Sequence, residues 1–320
     1  MNNIYILNEA SENQALYWGK LKSPVYAYLE LTKRCNCNCE FCQVDGLHCK
    51  DSDISFSLFK KIIKELKKND FFEIRLGGGE PLLANDLEKM LQYIHKNKLF
   101  FWICTNGILL DDKNVSLLKK YNCTGVRISI DSCVEEKHNK IRNNLNAFKS
   151  AWKGVDRCLK AGLETVVSMT IGNHNINEVA TLASMAKEHG AKFITHPIMP
   201  VQRGKNFLDK NGEYFCCSQD IQNIISESNG EKHCVAASEM IGIDTKGNVS
   251  PCTFIKPKLS LKDMNLRKLL NHKDFKCYTK PIPKSKKCEK CKYNKNTGDC
   301  VLSSICRGGC WALKEIENEN

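Results

Sequence analysis

The sequence predicts an α/β protein built on a parallel sheet, either open or barrel-like. Apolar residues recur with a period of two in some segments and of about 3.6 in others, as in strands alternating with helices. Six strand-like segments follow one another with helix-like segments between them, which indicates a parallel sheet. The strand-like segments are rich in aromatic and β-branched residues, which suits strands buried on both faces.

The predicted elements occupy residues 25–196. Strands are expected at 25–31 (VYAYLEL), 72–76, 99–104 (LFFWIC), 125–130 (GVRISI), 164–171 and 192–196. Helices are expected at 56–68 (FSLFKKIIKELKK), 87–97, 114–121, 147–160 and 176–189.

This pattern stops at a proline-rich boundary, Pro197-Ile198-Met199-Pro200. We expect four regions: an N-terminal extension (1–23), the main α/β domain (24–204), a bridging region (205–235) and a small C-terminal domain (236–320). In the last region, residues 240–252 predict a hairpin that turns at Gly247, and 261–270 favour a helix.

Composition excludes several classes of protein. The chain has no apolar stretch long enough to span a membrane, and its first residues do not form a secretion signal. The 19 cysteines are an odd number, so complete internal disulfide pairing is impossible. We therefore expect a cytoplasmic protein whose thiols include metal ligands.

The net charge of +12 is concentrated in residues 256–295, which hold 14 Lys/Arg and three Asp/Glu. Few aromatic residues interleave with these lysines and no nucleic-acid motif is present, so nucleic acid is not expected as a partner. The segment is interpreted either as a solvated surface or as a site for an acidic partner, such as a precursor peptide or a flavodoxin- or ferredoxin-type reductant.

A cysteine cluster follows the first predicted strand. Cys35, Cys39 and Cys42 supply three closely spaced thiolates, which suit an iron–sulfur cluster with one open iron. The alternative is a structural zinc loop with Cys37 as the fourth ligand.

Five motifs in order resemble those of radical S-adenosylmethionine (SAM) enzymes. The cysteine motif, with Phe41 before its last cysteine, is the first. The other four each follow or end a predicted strand: Gly78-Gly79-Glu80-Pro81, Thr105-Asn106-Gly107, Ser129-Ile130-Asp131 and the His138-x3-Arg142 segment. The resemblance covers residues 24–204 and implies a partial (β/α)6 TIM-like barrel.

The resemblance also implies roles for these residues. Cys35, Cys39 and Cys42 would hold a [4Fe–4S] cluster whose open iron binds SAM. Gly78 and Gly79 would allow close approach of the methionine end of SAM, and Glu80 would support its ammonium. The remaining SAM-binding candidates are Ser129 and Arg142 at the carboxylate, with Thr105, Asn106 and Asp131 near the same cavity.

The cysteines of the C-terminal region resemble those of the SPASM domain, which carries auxiliary [4Fe–4S] clusters in peptide- and protein-modifying radical SAM enzymes. The implied ligands are Cys234, Cys252 and Cys310 for one cluster and Cys288, Cys291 and Cys306 for the other. The last cysteine of the family pattern is missing, and Cys300 or Cys277 would replace it, so one or two auxiliary clusters are expected. A zinc ribbon is the alternative.

The resemblance predicts a radical SAM enzyme that cleaves SAM to a 5′-deoxyadenosyl radical and abstracts hydrogen from a peptide or protein. Thioether or carbon–carbon crosslinking, epimerisation and oxidation of a ribosomal peptide all fit. An oxidase of Cys or Ser side chains, similar to anaerobic sulfatase maturases, is the alternative. A non-catalytic iron–sulfur or zinc electron carrier or scaffold is the alternative of another class.

Two further expectations concern the reaction and its partners. Cys133, just after the Ser129-Ile130-Asp131 motif, is a candidate donor of a hydrogen atom to the substrate radical, and Cys216-Cys217 in the bridging region is the alternative. Only 23 residues precede the first predicted strand, so a separate protein or the surface of the enzyme would recognise a leader peptide.

Overall fold

The computed structural model describes residues 24–44, 53–199, 201–207 and 236–279, and within these it contains one sheet of nine strands. The strands are β1 (Tyr26–Thr32), β2 (Glu73–Gly78), β3 (Phe100–Thr105), β4 (Gly125–Ser129), β5 (Glu164–Ile171), β6 (Lys192–Pro197), β7 (Met240–Ile243), β8 (Asn248–Ser250) and β9 (Leu259–Ser260). Their order is β6-β5-β4-β3-β2-β1-β7-β8-β9. All pairs from β6 to β7 are parallel, and β7-β8-β9 is antiparallel.

Helices connect the parallel strands. The described helices are α1 (Phe56–Lys68), α2 (Leu87–Lys96), α3 (Asp112–Lys120), α4 (Glu135–Arg142), α5 (Ala147–Lys160), α6 (Val179–His189), α7 (Leu266–Leu270) and α8 (Lys273–Lys276). Short 3-10 turns occupy Pro81–Leu83, Ile176–Glu178, Gln202–Phe207 and Cys277–Thr279. Among the described residues, no helix has the length and apolar character that crossing a bilayer requires.

The two faces of the sheet differ in polarity because successive side chains of a strand point to opposite sides. One face is apolar and packs against the helices, with Leu29, Ile74 and Phe101 fully buried. The other face lines the lumen of the partial barrel and carries larger and polar side chains, such as Arg75 and Trp102. The carboxyl ends of β1 to β6 meet at one rim of this lumen, where barrel enzymes carry their active sites.

The six predicted strands and the α/β class are confirmed. Two helical predictions, 176–189 and 261–270, differ from the structure. Of residues 261–270, only Leu266–Leu270 form a helix, α7. Residues 176–189 form a 3-10 turn followed by α6, because the Asn175 amide bonds the Asp131 and Thr170 carbonyls and fixes a turn before the helix. Helix α4 was not predicted because its buried face is largely polar and has no apolar period.

The hairpin predicted at 240–252 is formed by β7 and β8. Gly247 has a φ of +83°, a left-handed conformation that glycine adopts without strain, and the Asp244 carboxylate accepts hydrogen bonds from Lys246 N and Asn248 N, both at 2.9 Å. The pairing of β7 with β1 was not predicted. It is parallel, from Tyr26 opposite Met240 to Leu29 opposite Ile243, so the hairpin extends the barrel sheet.

Candidate active site

Glu80 is the buried acid at the rim of the lumen. It follows β2, is 0% exposed, and accepts hydrogen bonds from the Thr105 hydroxyl (2.8 Å), Asn106 N (2.9 Å) and Leu82 N (3.2 Å). Burial raises the pKa of Glu80 to about 7, although these donors oppose the shift. A carboxylate held this way favours a cation beside it.

Asn106 connects the end of β3 to the cysteine loop after β1. Its amide donates to the Asn36 side-chain oxygen at 2.6 Å and lies 3.9 Å from the Cys35 sulfur. The adjacent Thr105 is bonded to Glu80. These contacts bring the first three sequence motifs together.

Arg142 and Asp131 form a buried ion pair behind the cysteine loop, with side chains 9% and 0% exposed. Asp131 also accepts a hydrogen bond from Thr170 N at 2.9 Å. Arg142 also donates a hydrogen bond to the Cys39 sulfur at 3.5 Å, while its buried Nε has no hydrogen-bond partner among the described residues. Arg142 therefore joins β4 to the loop and keeps one donor unused.

Gly78 and Gly79 bring the end of β2 against the start of the cysteine loop. A Cβ on Gly78, whose φ is +117°, would lie 2.3 Å from the Thr32 carbonyl oxygen. On Gly79 it would lie 2.2 Å from the Arg34 oxygen, and the backbone hydrogen bond from Gly79 N to Thr32 O is 2.8 Å. Close packing of two backbone segments thus requires both glycines, in addition to the contact with SAM expected from the sequence.

An Arg34–Asp53 ion pair, missed by the sequence analysis, anchors the same loop. Arg34 Nε and its terminal nitrogen contact the two oxygens of Asp53 at 2.9 and 2.7 Å, and Asp53 also accepts from Thr32 Oγ1 at 2.6 Å. Arg34 precedes Cys35, so the pair fixes the approach to the first cysteine. Asp53 lies in a stretch without periodicity, and the sequence contained no signal that would have found it.

The family model "Radical SAM superfamily" matches residues 29–186. The barrel of this chain is therefore a radical SAM domain. The match spans β1 to most of α6 and contains all five sequence motifs, so the recognition made from those motifs is confirmed.

Several curated proteins are similar to this chain at low identity. AlbA, the antilisterial bacteriocin subtilosin biosynthesis protein of Bacillus subtilis (strain 168), is 25% identical over 88% of this chain and 68% of AlbA. The mycofactocin maturase MftC of Mycobacterium ulcerans (strain Agy99) is 23% identical over 92% of this chain and 85% of MftC.

Streptococcus suis SuiB bound to S-adenosylmethionine has the same fold, with a TM-score of 0.68, 16% identity, and coverage of 99% of this chain and 80% of SuiB. SuiB has also been solved bound to its precursor peptide SuiA.

A radical SAM domain uses SAM and a [4Fe–4S] cluster, and the cysteine loop fits such a cluster. A hydrogen bond with the Cys37 thiol, assisted by the Arg142 guanidinium, lowers the pKa of Cys39 to about 6. A hydrogen bond with Cys37 also lowers the pKa of Cys35. The pKa of Cys37 itself is strongly raised by these two neighbours. Two of the expected ligands thus favour the thiolate form that binds iron, and Cys37 favours the thiol.

No three His, Cys, Asp or Glu side chains in the described ranges converge closely enough to hold a single metal ion. The partly buried Cys42 stands beyond Cys39 in the same loop, where its backbone N bonds Cys39 O at 3.3 Å.

In this radical SAM domain, Ser129 lies on the lumen face of the sheet and Cys133 lies beside a carboxylate. Ser129 ends β4, opposite Ser168 on the lumen face. The Cys133 thiol lies 3.3 Å from the Glu178 carboxylate, and burial together with that hydrogen bond raises its pKa. Cys133 as a hydrogen-atom donor stays a prediction.

Of the expected auxiliary ligands, the structure describes two. Cys252 is buried just after β8, and Cys277 is exposed at the end of α8. The others lie outside the described residues: Cys234, Cys288, Cys291, Cys300, Cys306 and Cys310.

Proposed function

We propose that this chain is a radical SAM enzyme that abstracts hydrogen from a ribosomally made precursor peptide. The observation that carries the proposal is the meeting of Glu80, Asn106 and the Asp131–Arg142 pair beside the three-cysteine loop, at the rim of the lumen. AlbA, MftC and SuiB support the peptide class, since two are named for biosynthesis or maturation and SuiB binds a precursor peptide. When bound, the cluster supplies the electron that cleaves SAM to a 5′-deoxyadenosyl radical.

Each rim residue has a role in this proposal. Glu80 receives the ammonium of SAM, which replaces the missing countercharge of the buried carboxylate. Ser129 and the unused Nε of Arg142 receive the carboxylate of SAM. Asp131 positions Arg142, and Thr105 and Asn106 position Glu80. The lumen below admits the peptide and keeps the reacting carbon away from bulk water.

The C-terminal region holds one or two auxiliary [4Fe–4S] clusters in this proposal, with Cys252 as the described ligand. A flavodoxin- or ferredoxin-type protein supplies electrons. We place the enzyme in the cytoplasm, where its eight described barrel cysteines, none of them in a disulfide, remain reduced.

Anaerobic reconstitution tests the proposal. The protein is loaded with iron and sulfide, reduced with dithionite, and assayed for 5′-deoxyadenosine from SAM, with candidate precursor peptides analysed by mass spectrometry. We expect 5′-deoxyadenosine and a mass change on a peptide. Absence of 5′-deoxyadenosine would favour the non-catalytic scaffold, and modification of only a folded protein's Cys or Ser would favour the side-chain oxidase.

Cys39→Ala and Cys37→Ala form a matched pair within the loop. Cys39→Ala should remove about four irons per chain and abolish 5′-deoxyadenosine formation, because a four-iron cluster with three protein ligands loses one of them. Cys37→Ala should keep both the bound iron and the formation of 5′-deoxyadenosine. An equal loss of metal in the two variants, with zinc bound in place of iron, would instead support the four-cysteine zinc loop.

A further inference from the structure

Three basic side chains stand on the lumen face of the sheet within the described residues. Arg75 on β2 is paired with Glu73 at 2.7 Å and stacks over the Tyr26 ring at 3.7 Å. Lys192 on β6 is paired with Glu164 at 2.6 Å. Arg127 on β4 is the third. Of the three, Arg127 alone has no acidic partner among the described residues.

The polar neighbour of Arg127 is neutral. Arg127 lies 3.3 Å from His196 Nε2 on β6. A guanidinium has donors only, so His196 must accept at Nε2 and carry its proton on Nδ1. A histidine that accepts from arginine adds no negative charge, and the pair keeps a net charge of +1. Arg127 is half-buried and His196 is exposed, so a ligand can reach the pair. A guanidinium without an acidic partner favours an anionic ligand.

Arg127 lies inside the lumen, below the rim that carries the candidate site. It precedes Ser129 by two residues on the same face of β4, so it stands roughly 7 Å below the rim. A ligand anchored there would extend up the lumen to the place where the rim residues converge.

We propose that Arg127, with His196 beside it, binds a carboxylate of the substrate inside the barrel. The proposal rests on the proposed function, which makes the substrate a peptide. In a peptide the negative groups are Asp or Glu side chains and the C-terminal carboxylate, and the planar guanidinium fork matches a carboxylate with two parallel hydrogen bonds. This contact would select which residue of the peptide stands under the rim.

Cys104 provides a reporter inside the lumen. It lies directly opposite Arg127 in the β3–β4 pairing and is partly exposed. Iodoacetate and iodoacetamide have similar size but differ in charge, and peptide mapping by mass spectrometry gives their rates at Cys104 separately from other thiols. In the reconstituted holoenzyme, Arg127→Gln should lower the iodoacetate-to-iodoacetamide rate ratio about tenfold. Arg157→Gln on the outer helix α5 is the matched control and should leave the ratio unchanged.

Protection of Cys104 identifies the source of the carboxylate. The probes are Ac-Ala-Glu-Ala-amide, Ac-Ala-Ala-Ala with a free C terminus, Ac-Ala-Gln-Ala-amide, and SAM. We expect one or both carboxylate peptides to slow alkylation in the wild type and not in Arg127→Gln, and the amide peptide to have no effect. Which peptide protects tells a side-chain from a C-terminal carboxylate.

Three results would overturn the proposal. An unchanged rate ratio in Arg127→Gln is the first. The second is a Cys104 that reacts with neither reagent even at alkaline pH, where a thiol whose pKa is raised by burial becomes ionised, because this would mean a closed lumen. Protection by SAM alone is the third, because it assigns Arg127 to the cofactor. Alkylation needs no turnover, so a protein that makes no 5′-deoxyadenosine but keeps the Arg127-dependent ratio separates failure of the proposed function from failure of this inference.

Discussion

The buried Asp131–Arg142 ion pair gives the sharpest test of how the cysteine loop is held. Asp131→Asn removes the charge and keeps the shape, and the asparagine oxygen can still accept from Thr170 N. Its amide would then face the Arg142 guanidinium, so two donors meet where an ion pair stood. Arg142 is left as an uncompensated charge that is only 9% exposed.

Breaking a buried pair from one side typically costs about 3–5 kcal/mol. That is a large part of a total stability of about 5–15 kcal/mol. We expect this loss for Asp131→Asn, measured by anaerobic urea unfolding of the reconstituted protein and followed by far-ultraviolet circular dichroism. Adding Arg142→Gln removes the stranded charge, so the double variant should lose less than the two single variants together.

The exposed Lys120–Glu88 pair is the control, since its 2.9 Å contact joins side chains that are 59% and 58% exposed. Glu88→Gln should leave the unfolding midpoint unchanged because solvent already screens the pair. A loss below about 1 kcal/mol for Asp131→Asn, or strictly additive effects in the double variant, would refute the reasoning.

Two further predictions concern a glycine and a histidine near the same loop. Gly79→Ala should displace the loop at Arg34 and lower the amount of iron bound by the barrel. In the control Gly190→Ala, Gly190 has a φ of +88° but no atom within 4 Å of an added Cβ, so the variant should lose about 1 kcal/mol of stability and no iron. Equal iron loss in the two variants would contradict the steric argument. Burial, with Arg142 nearby, lowers the pKa of His138 to about 4, below the unfolded value of 6.5, so stability present above pH 6.5 is lost as pH falls. Between pH 7.5 and 5 the wild type should lose about 2 kcal/mol more than His138→Gln in urea titrations, and parallel pH profiles would argue against a neutral buried imidazole.

The parts of the fold predicted well are those whose sequence carries its own period. Residues 56–68 form α1 as predicted, because Phe59, Ile62, Ile63 and Leu66 bury one face and the Ser55 hydroxyl accepts from Leu58 N at the first turn. The strands were found because alternate residues such as Leu29 and Leu31 are fully buried. The glycine turn at Gly247 was found from its local chemistry.

The rest depended on contacts between distant segments, which a single sequence does not encode locally. Helix α4 is stabilised by Asn38 N and Glu40 N, which donate to the carbonyls of Arg142 and Ile141 at 3.0 Å, and its own residues show no apolar stripe. In the candidate site, the motifs predicted which strand ends meet. They did not predict that Arg142 would form an ion pair with Asp131 and donate a hydrogen bond to Cys39.

The β1–β7 pairing has a consequence for the synthesis of the chain. Tyr26 and its partner Met240 are separated by 214 residues, so β1 leaves the ribosome roughly 10 to 40 s before β7 exists. During that interval one edge of β1 presents unpaired backbone groups, which favour pairing with other chains. The nascent protein would therefore be most prone to aggregate before residue 240 is made, and a chaperone that covers this strand edge should raise the yield of folded enzyme more than slower synthesis would.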